Sequence, residues 1–254
     1  MSKSVVRTSK FRHVHGSVGR KEECYDNVQC TSSAADSNLI AANEKYFAVP
    51  WQGGGGPFFV NQLDKPGKVD ATPSLFQGHS GAVLDLDFSP FDSEVIASAS
   101  EDSIIRVWNF KKYVDASTGL SLKEDVKEDD SAALRGHSKK VTLIRWHPVA
   151  SNLLLSVSFD NTARVWDVNK GAEALNIADA DEPMQHVSWN YIGSAYAATL
   201  KDKSIRIYDP RAGAMSARLE GHTGAKGARV CFLGRMDLLA SVGFSRQSER
   251  QLFL

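Results

Sequence analysis

Two sets of polar side chains recur in this chain at matched offsets. His79 is followed by Ser98, Asp102 and Trp108, and His137 is followed at the same spacing by Ser156, Asp160 and Trp166. Histidine, serine and aspartate are the types that build a nucleophile, its base and the group that orients the base. Their repetition with a tryptophan points to a structural role. A large buried indole needs a partner for its N–H, and a nearby hydroxyl can supply one. The histidine then links that hydroxyl to the aspartate. Ser100 and Ser158 are alternative hydroxyls two residues further on. Such networks are valuable when every member is satisfied. His79, His137 and His222 are therefore better explained as network members than as general bases. No residue is assigned as catalytic.

Other reactive types are weaker signals. His13, His15, Cys24 and Cys30 fit no structural zinc spacing. The run Gly53 to Gly56 lacks the Lys-Ser/Thr of a phosphate loop and reads as a tight hairpin. No metal and no cofactor is expected. The three cysteines, Cys24, Cys30 and Cys231, make no disulfide framework, and the opening MSKSVVRTSK has no apolar core of signal-peptide length. A cytoplasmic location is expected, with no membrane span, since no apolar run approaches the required ~18 residues.

The elements that must position these residues are short strands. Residues 82–88 (AVLDLDF) alternate apolar residues with Asp, as a half-buried strand does. A Ser-Pro-Phe-Asp turn follows, then VIASAS, a tight turn at Glu101-Asp102, and IIRVWNF. The second unit copies this with VTLIRW, LLLSVS, Asp160-Asn161 and ARVWDV. A third keeps Asp202 and Tyr208-Asp209 but has no histidine, the equivalent position being about Ala180. That unit is expected to be held mainly by apolar packing. A fourth opens at Gly221-His222. Gly-His and Trp-Asp marks at a period of roughly 40–45 residues are the signature of WD-repeat propeller blades. The predicted fold is all-β, with about four to five blades. The blades fall near 31–75, read as a divergent first blade, then 76–114, 134–175, 176–218 and a partial 219–254.

Net charge is zero, which gives no reason to expect nucleic-acid binding. Its distribution is uneven. Residues 1–21 carry Lys3, Arg7, Lys10, Arg12, Arg20 and Lys21 with no acid. Residues 115–133 form an acidic stretch, expected as an exposed loop between blades.

The N-terminal segment is more specific than the repeats. Val5-Val6-Arg7-Thr8-Ser9-Lys10-Phe11-Arg12-His13-Val14 and Cys24-Tyr25-Asp26-Asn27-Val28 resemble the opening of coronins, the actin-binding WD-repeat proteins. Asp36-Ser37-Asn38, the glycine-rich turn, Gly243-Phe244-Ser245-Arg246 and Ser248-Glu249-Arg250-Gln251 are similar to coronin segments as well. The resemblance implies a seven-bladed propeller that binds filamentous actin, in the cytoplasm and on the cytoskeleton, with other cytoskeletal proteins as further partners. It also implies a C-terminal extension and a coiled coil. The sequence ends at Leu252-Phe253-Leu254, where the fifth blade should deliver its aromatic-Asp pair. A truncated, open ring is expected, with Arg12-His13-Val14 as a closing strand by resemblance. Free strand edges should make the chain unstable or prone to association. A monodisperse monomer with a cooperative melt would contradict that.

The candidate actin contacts are Arg7, Lys10, Arg12, Arg20 and Lys21, with Lys139 and Lys140 beside one blade opening and Lys201, Lys203 and Arg206 around a blade turn. Many coronins carry a basic residue just after the Cys-Tyr motif, where this sequence has Gln29. The alternative reading is a WD-repeat scaffold without actin contact.

Overall fold

The computed structural model describes residues 19–32, 37–115, 117–177, 181–236 and 238–254. Among them are strands and three short 3-10 helices, and no α-helix. Arg7, Lys10, Arg12, the proposed closing strand and Ala180 lie outside the described residues.

Five antiparallel sheets form a five-bladed propeller arrangement. The first blade has three strands, Ala41–Ala42, Tyr46–Pro50 and Phe58–Gln62. The second has Val83–Phe88, Val95–Ser100, Ile105–Asn109 and Ser131–Leu134. The third runs Val141–Trp146, Leu153–Ser158, Ala163–Asp167 and Ala172–Ile177, and the fourth Met184–Trp189, Tyr196–Leu200, Ser204–Asp209 and Ala214–Glu220. The fifth has Arg229–Phe232, Leu239–Phe244 and Arg250–Phe253.

Burial falls from the middle strands outward. Tyr46–Pro50 and Tyr196–Leu200 are buried throughout, whereas Ala214–Glu220 is almost wholly exposed. Small side chains such as Ala97, Ala99, Ala197 and Ala198 let neighbouring sheets approach. Most of the core lies between blades, apart from a cluster of Phe47, Val49, Trp51 and Phe59 on the first blade, covered by Val69 and Leu75. Phe58, Phe76, Val83 and Trp108 join the first two blades, and Leu155, Val165, Val187 and Tyr196 join the third and fourth. Each large apolar side chain buried this way contributes about 1.5–3 kcal/mol. An isolated blade would leave both faces wet.

The entry strands of the second, third and fourth blades shift register at one shared place, between Val83 and Asp85, Val141 and Leu143, and Met184 and His186. A bulge there re-aims the strand. The glycine run joins the first blade's second and third strands, closed by the Trp51 N–H on Pro57 O at 2.8 Å. Gly56 sits at φ 58, and a Cβ on it would lie 1.9 Å from Gly81 O. Only glycine allows the two turns to touch.

Two expectations are corrected. The acidic stretch is not simply an exposed loop between blades. Ser131–Leu134 is the fourth strand of the second blade, so Leu134 belongs there and not to the third. Upstream, Val126 is buried and bridges to Phe76, while Asp125 accepts the Leu75 N–H at 2.8 Å. The apolar residues Leu120, Leu122 and Val126, spaced among the acids, complete the core around Phe58 and Phe76. The second correction concerns the aspartates of Val83–Phe88. Asp85 is buried against the third blade, not turned to solvent as a half-buried strand implies.

Candidate functional site

The two polar sets close with the same geometry. His79 Nδ1 lies 2.9 Å from Asp102 Oδ2 and His79 Nε2 lies 2.8 Å from Ser98 Oγ. Trp108 Nε1–H donates to the same Ser98 hydroxyl at 2.9 Å. In the third blade the corresponding distances are 2.9, 2.7 and 2.8 Å for His137–Asp160, His137–Ser156 and Trp166–Ser156. Ser100 and Ser158 serve elsewhere, donating to Gly81 O and Lys139 O.

Ser–His–Asp connectivity resembles a hydrolase triad, but access decides the matter. Ser98 and Ser156 have no exposed surface, and each hydroxyl oxygen already accepts an indole N–H. No substrate carbonyl can reach either one. Burial alone would raise the carboxyls of Asp102 and Asp160. Hydrogen bonds from histidine, backbone N–H groups and, for Asp160, the Thr162 hydroxyl outweigh it and hold both at about 2. Burial pushes His137 down. These groups are fixed charges and acceptors for holding turns in place.

The fourth blade departs from this plan. Asp202 accepts from the Ser204 hydroxyl at 2.6 Å and from Arg206 Nη2 at 2.8 Å, and Arg218 Nη2 shares its Oδ2 at 3.1 Å. Tyr208 stacks on Tyr196 with centroids 5.1 Å apart. Apolar packing is therefore joined by an ion-paired turn. In the fifth blade, His222 Nε2 lies 3.1 Å from Ser241 Oγ and its ring stacks on Phe253.

Because each histidine loop touches its aspartate turn, both loop types lie on one side of the propeller. Lys139 and Lys140 follow His137, and Lys201 and Lys203 flank Asp202, so these four share that side; Arg206, expected as exposed, is instead buried and bound to Asp202. Lys140 Nζ sits 4.4 Å over the Phe159 ring, and Lys203 Nζ donates to Thr223 O at 2.9 Å. Lys226, over Phe244 at 4.7 Å, and Arg246 occupy the matching loops of the fifth blade. Their signal in the sequence was position relative to Gly221-His222. Gln29 is exposed on this side too, its carbonyl accepting the Gln52 N–H beside the first blade's turn. Arg20 and Lys21 stand apart, in a 3-10 turn that packs beside Gly67–Lys68.

The entry strands carry a second polar layer. Arg145 Nη1 donates to Asp85 at 2.6 Å, and the Trp146 N–H donates to Asp87 at 2.9 Å. Burial pushes Asp85 up and pushes Asp87 up to about 7, although Arg145 opposes both. Arg229 of the fifth blade reaches Ser37 O at 3.0 Å and the Asn38 side chain, before the first blade's opening strand. Among the described residues no group of His, Cys, Asp and Glu could hold a metal ion, and no helix is long and apolar enough to cross a membrane.

Residues 4–68 match a family described as "Domain of unknown function (DUF1899)", and residues 71–109 and 129–167 match the "WD domain, G-beta repeat". Coronin-like protein crn1 of Schizosaccharomyces pombe is 42% identical over 255 residues, covering 100% of this chain and 41% of that protein. Coronin-2A of Homo sapiens is 37% identical over 256 residues, covering 98% of this chain and 47% of that one. Coronin-A of Dictyostelium discoideum is 39% identical over 255 residues, covering 100% and 55%. The WD40 domain from Toxoplasma gondii coronin superposes with a TM-score of 0.80 at 29% identity, covering 90% of this chain and 57% of that one. The chain thus spans about half, or less, of the length of these curated relatives. With similarity over the whole of this chain to these relatives and a shared WD-repeat fold, the chain belongs to the coronin family of WD-repeat proteins.

Proposed function

We propose that the chain binds filamentous actin as a coronin-type protein of the cytoplasm and cytoskeleton, acting as a binding module with no catalytic step. The observation that carries this reading is the gathering of Lys139, Lys140, Lys201 and Lys203 on one side, with Lys226 and Arg246 beside them. A filament presents acidic surface from several subunits, and complementary charge would steer and orient docking. Contacts through exposed lysines weaken as salt screens them.

Co-sedimentation with actin filaments tests this at low and high salt. Lys139→Glu/Lys201→Glu should lower pelleting by on the order of tenfold in affinity at ~50 mM salt. Pelleting that ignores both salt and the double substitution would refute the reading. The alternative, a scaffold for other proteins without actin contact, draws on Gln29, which leaves that exposed position uncharged. A pull-down before and after filament disassembly separates the two, because scaffold partners survive it.

A further inference from the structure

A cleft opens where the fourth blade departs from its neighbours. In the second and third blades the turn aspartate is covered by a histidine, leaving its side chain 6% exposed. Asp202 is 19% exposed. Beside it lies a cleft of about 580 Å³ lined by Lys203, Arg218, Leu219, Glu220 and Thr223 among others.

Among the lining residues Asp202 and Glu220 balance Lys203 and Arg218, but Arg206 behind Asp202 and Lys201 at the same turn leave the surroundings net positive. Arg206 is buried and already takes the Asp202 carboxylate, whereas Arg218, 58% exposed, shares the same oxygen. One carboxylate faces two guanidinium groups. Lys203 is held across the mouth by its bond to Thr223 O, and Lys201 is exposed at the same turn. Among the lining residues Glu220 is the one further acid. Leu219, exposed between Arg218 and Glu220, adds an apolar contact. The outermost strand of this blade, Ala214–Glu220, pairs along one edge only among the described residues. Its free edge can hydrogen-bond an extended chain.

We propose that this cleft binds an extended acidic peptide segment of a protein partner, with carboxylates on Arg218 and Lys203 and an apolar side chain on Leu219. The guanidinium fork suits a carboxylate in two-point contact, and the row of backbone groups suits a peptide rather than a compact ion. The proposal rests on reading this side as a binding face, not on actin being the partner.

The test uses the whole chain and a fluorescein-labelled peptide, Glu-Leu-Glu-Asp-Leu-Glu, followed by anisotropy at ~50 mM salt. Arg218→Glu and Lys203→Glu should each weaken binding by about tenfold, as losing one charge-assisted contact would. Arg218→Lys should retain most of it. Lys170→Glu, at an exposed turn on the other side, should change it less than ~2-fold. A peptide with Gln and Asn in place of the acids should not bind. Three results would overturn the proposal: equal loss in Lys170→Glu, no loss in Arg218→Glu, or displacement by inorganic phosphate at concentrations near the peptide's Kd. Filament pelleting is measured on the same samples. Pelleting without peptide binding overturns the cleft alone, and peptide binding without pelleting overturns the actin reading alone.

Discussion

Replacing Ser98 with alanine should cost far more than the loss of one oxygen suggests. Ser98 has no exposed surface, and its hydroxyl meets both Trp108 Nε1 at 2.9 Å and His79 Nε2 at 2.8 Å. Alanine fits the space and leaves an indole N–H and an imidazole nitrogen buried without partners. Each unpaired buried group costs about 1–3 kcal/mol, so Ser98→Ala should destabilise by about 2–6 kcal/mol. Ser100→Ala loses a bond to Gly81 O and one from the Asp102 N–H, both beside a solvated turn, and should cost ~1 kcal/mol. Urea unfolding followed by far-UV circular dichroism measures both. Trp108→Phe adds the decisive arm, because phenylalanine has no N–H to strand. In that background the Ser98→Ala cost should shrink by about 1–2 kcal/mol, the coupling expected of a direct contact. Equal losses at Ser98 and Ser100, or no coupling to Trp108, would refute the assignment of Ser98 as the shared hydroxyl.

Three further outcomes are expected. The depressed carboxyls of Asp102 and Asp160 contribute stability that is complete above the unfolded value of about 4 and lost as pH falls toward about 2. Discounted for solvent screening, each should account for about 1–2 kcal/mol. The drop in stability between pH 5 and pH 3 should therefore shrink by about 1 kcal/mol in Asp160→Asn, with the Asp102 share remaining. Asp87 has the opposite sign: its folded value is raised to about 7, so stability should decline as pH rises from about 4 to about 7. Asp87→Asn keeps an acceptor for the Trp146 N–H and should flatten that decline in the same titration. Gly56→Ala, whose Cβ would meet Gly81 O at 1.9 Å with φ at 58, should destabilise by about 2–4 kcal/mol. A thermal melt unchanged within error would contradict that last expectation.

What could be read from the sequence was whatever repeats. The His, Ser, Asp and Trp positions each sit on a different element of one blade, so a fixed offset between them already encodes which strands meet. Residues without a counterpart in the next unit were harder. Leu120, Leu122 and Val126 lie among six acids between 115 and 130, and no periodicity separates a solvated loop from one that folds back onto Phe76. Asp85 and Asp87 alternate with apolar residues as an exposed face would, yet their partners are Arg145 and Trp146, about 60 residues away. Alternation along a strand tells which residues share a face but not what covers that face. The missing histidine of the fourth blade was visible. What took its place, Arg206 and Arg218 on Asp202, came from two separate strands that only the sheet register brings together.

The reach of Arg229 to Ser37 and Asn38 spans 191 to 192 residues. Closing so long a loop in an unfolded chain carries an entropy cost of about 4–5 kcal/mol. Two hydrogen bonds from one charged side chain contribute about 1.5–3 kcal/mol each. The contact alone hardly offsets that cost, so it is expected to form late, once the blades between have brought its ends together. A linear array of repeats couples only neighbours. Here the first and fifth units are also coupled directly through Arg229, so damage along the arc is felt at this contact. Occupancy of the Arg229 contact is thus a readout of whether all the intervening units have folded in register.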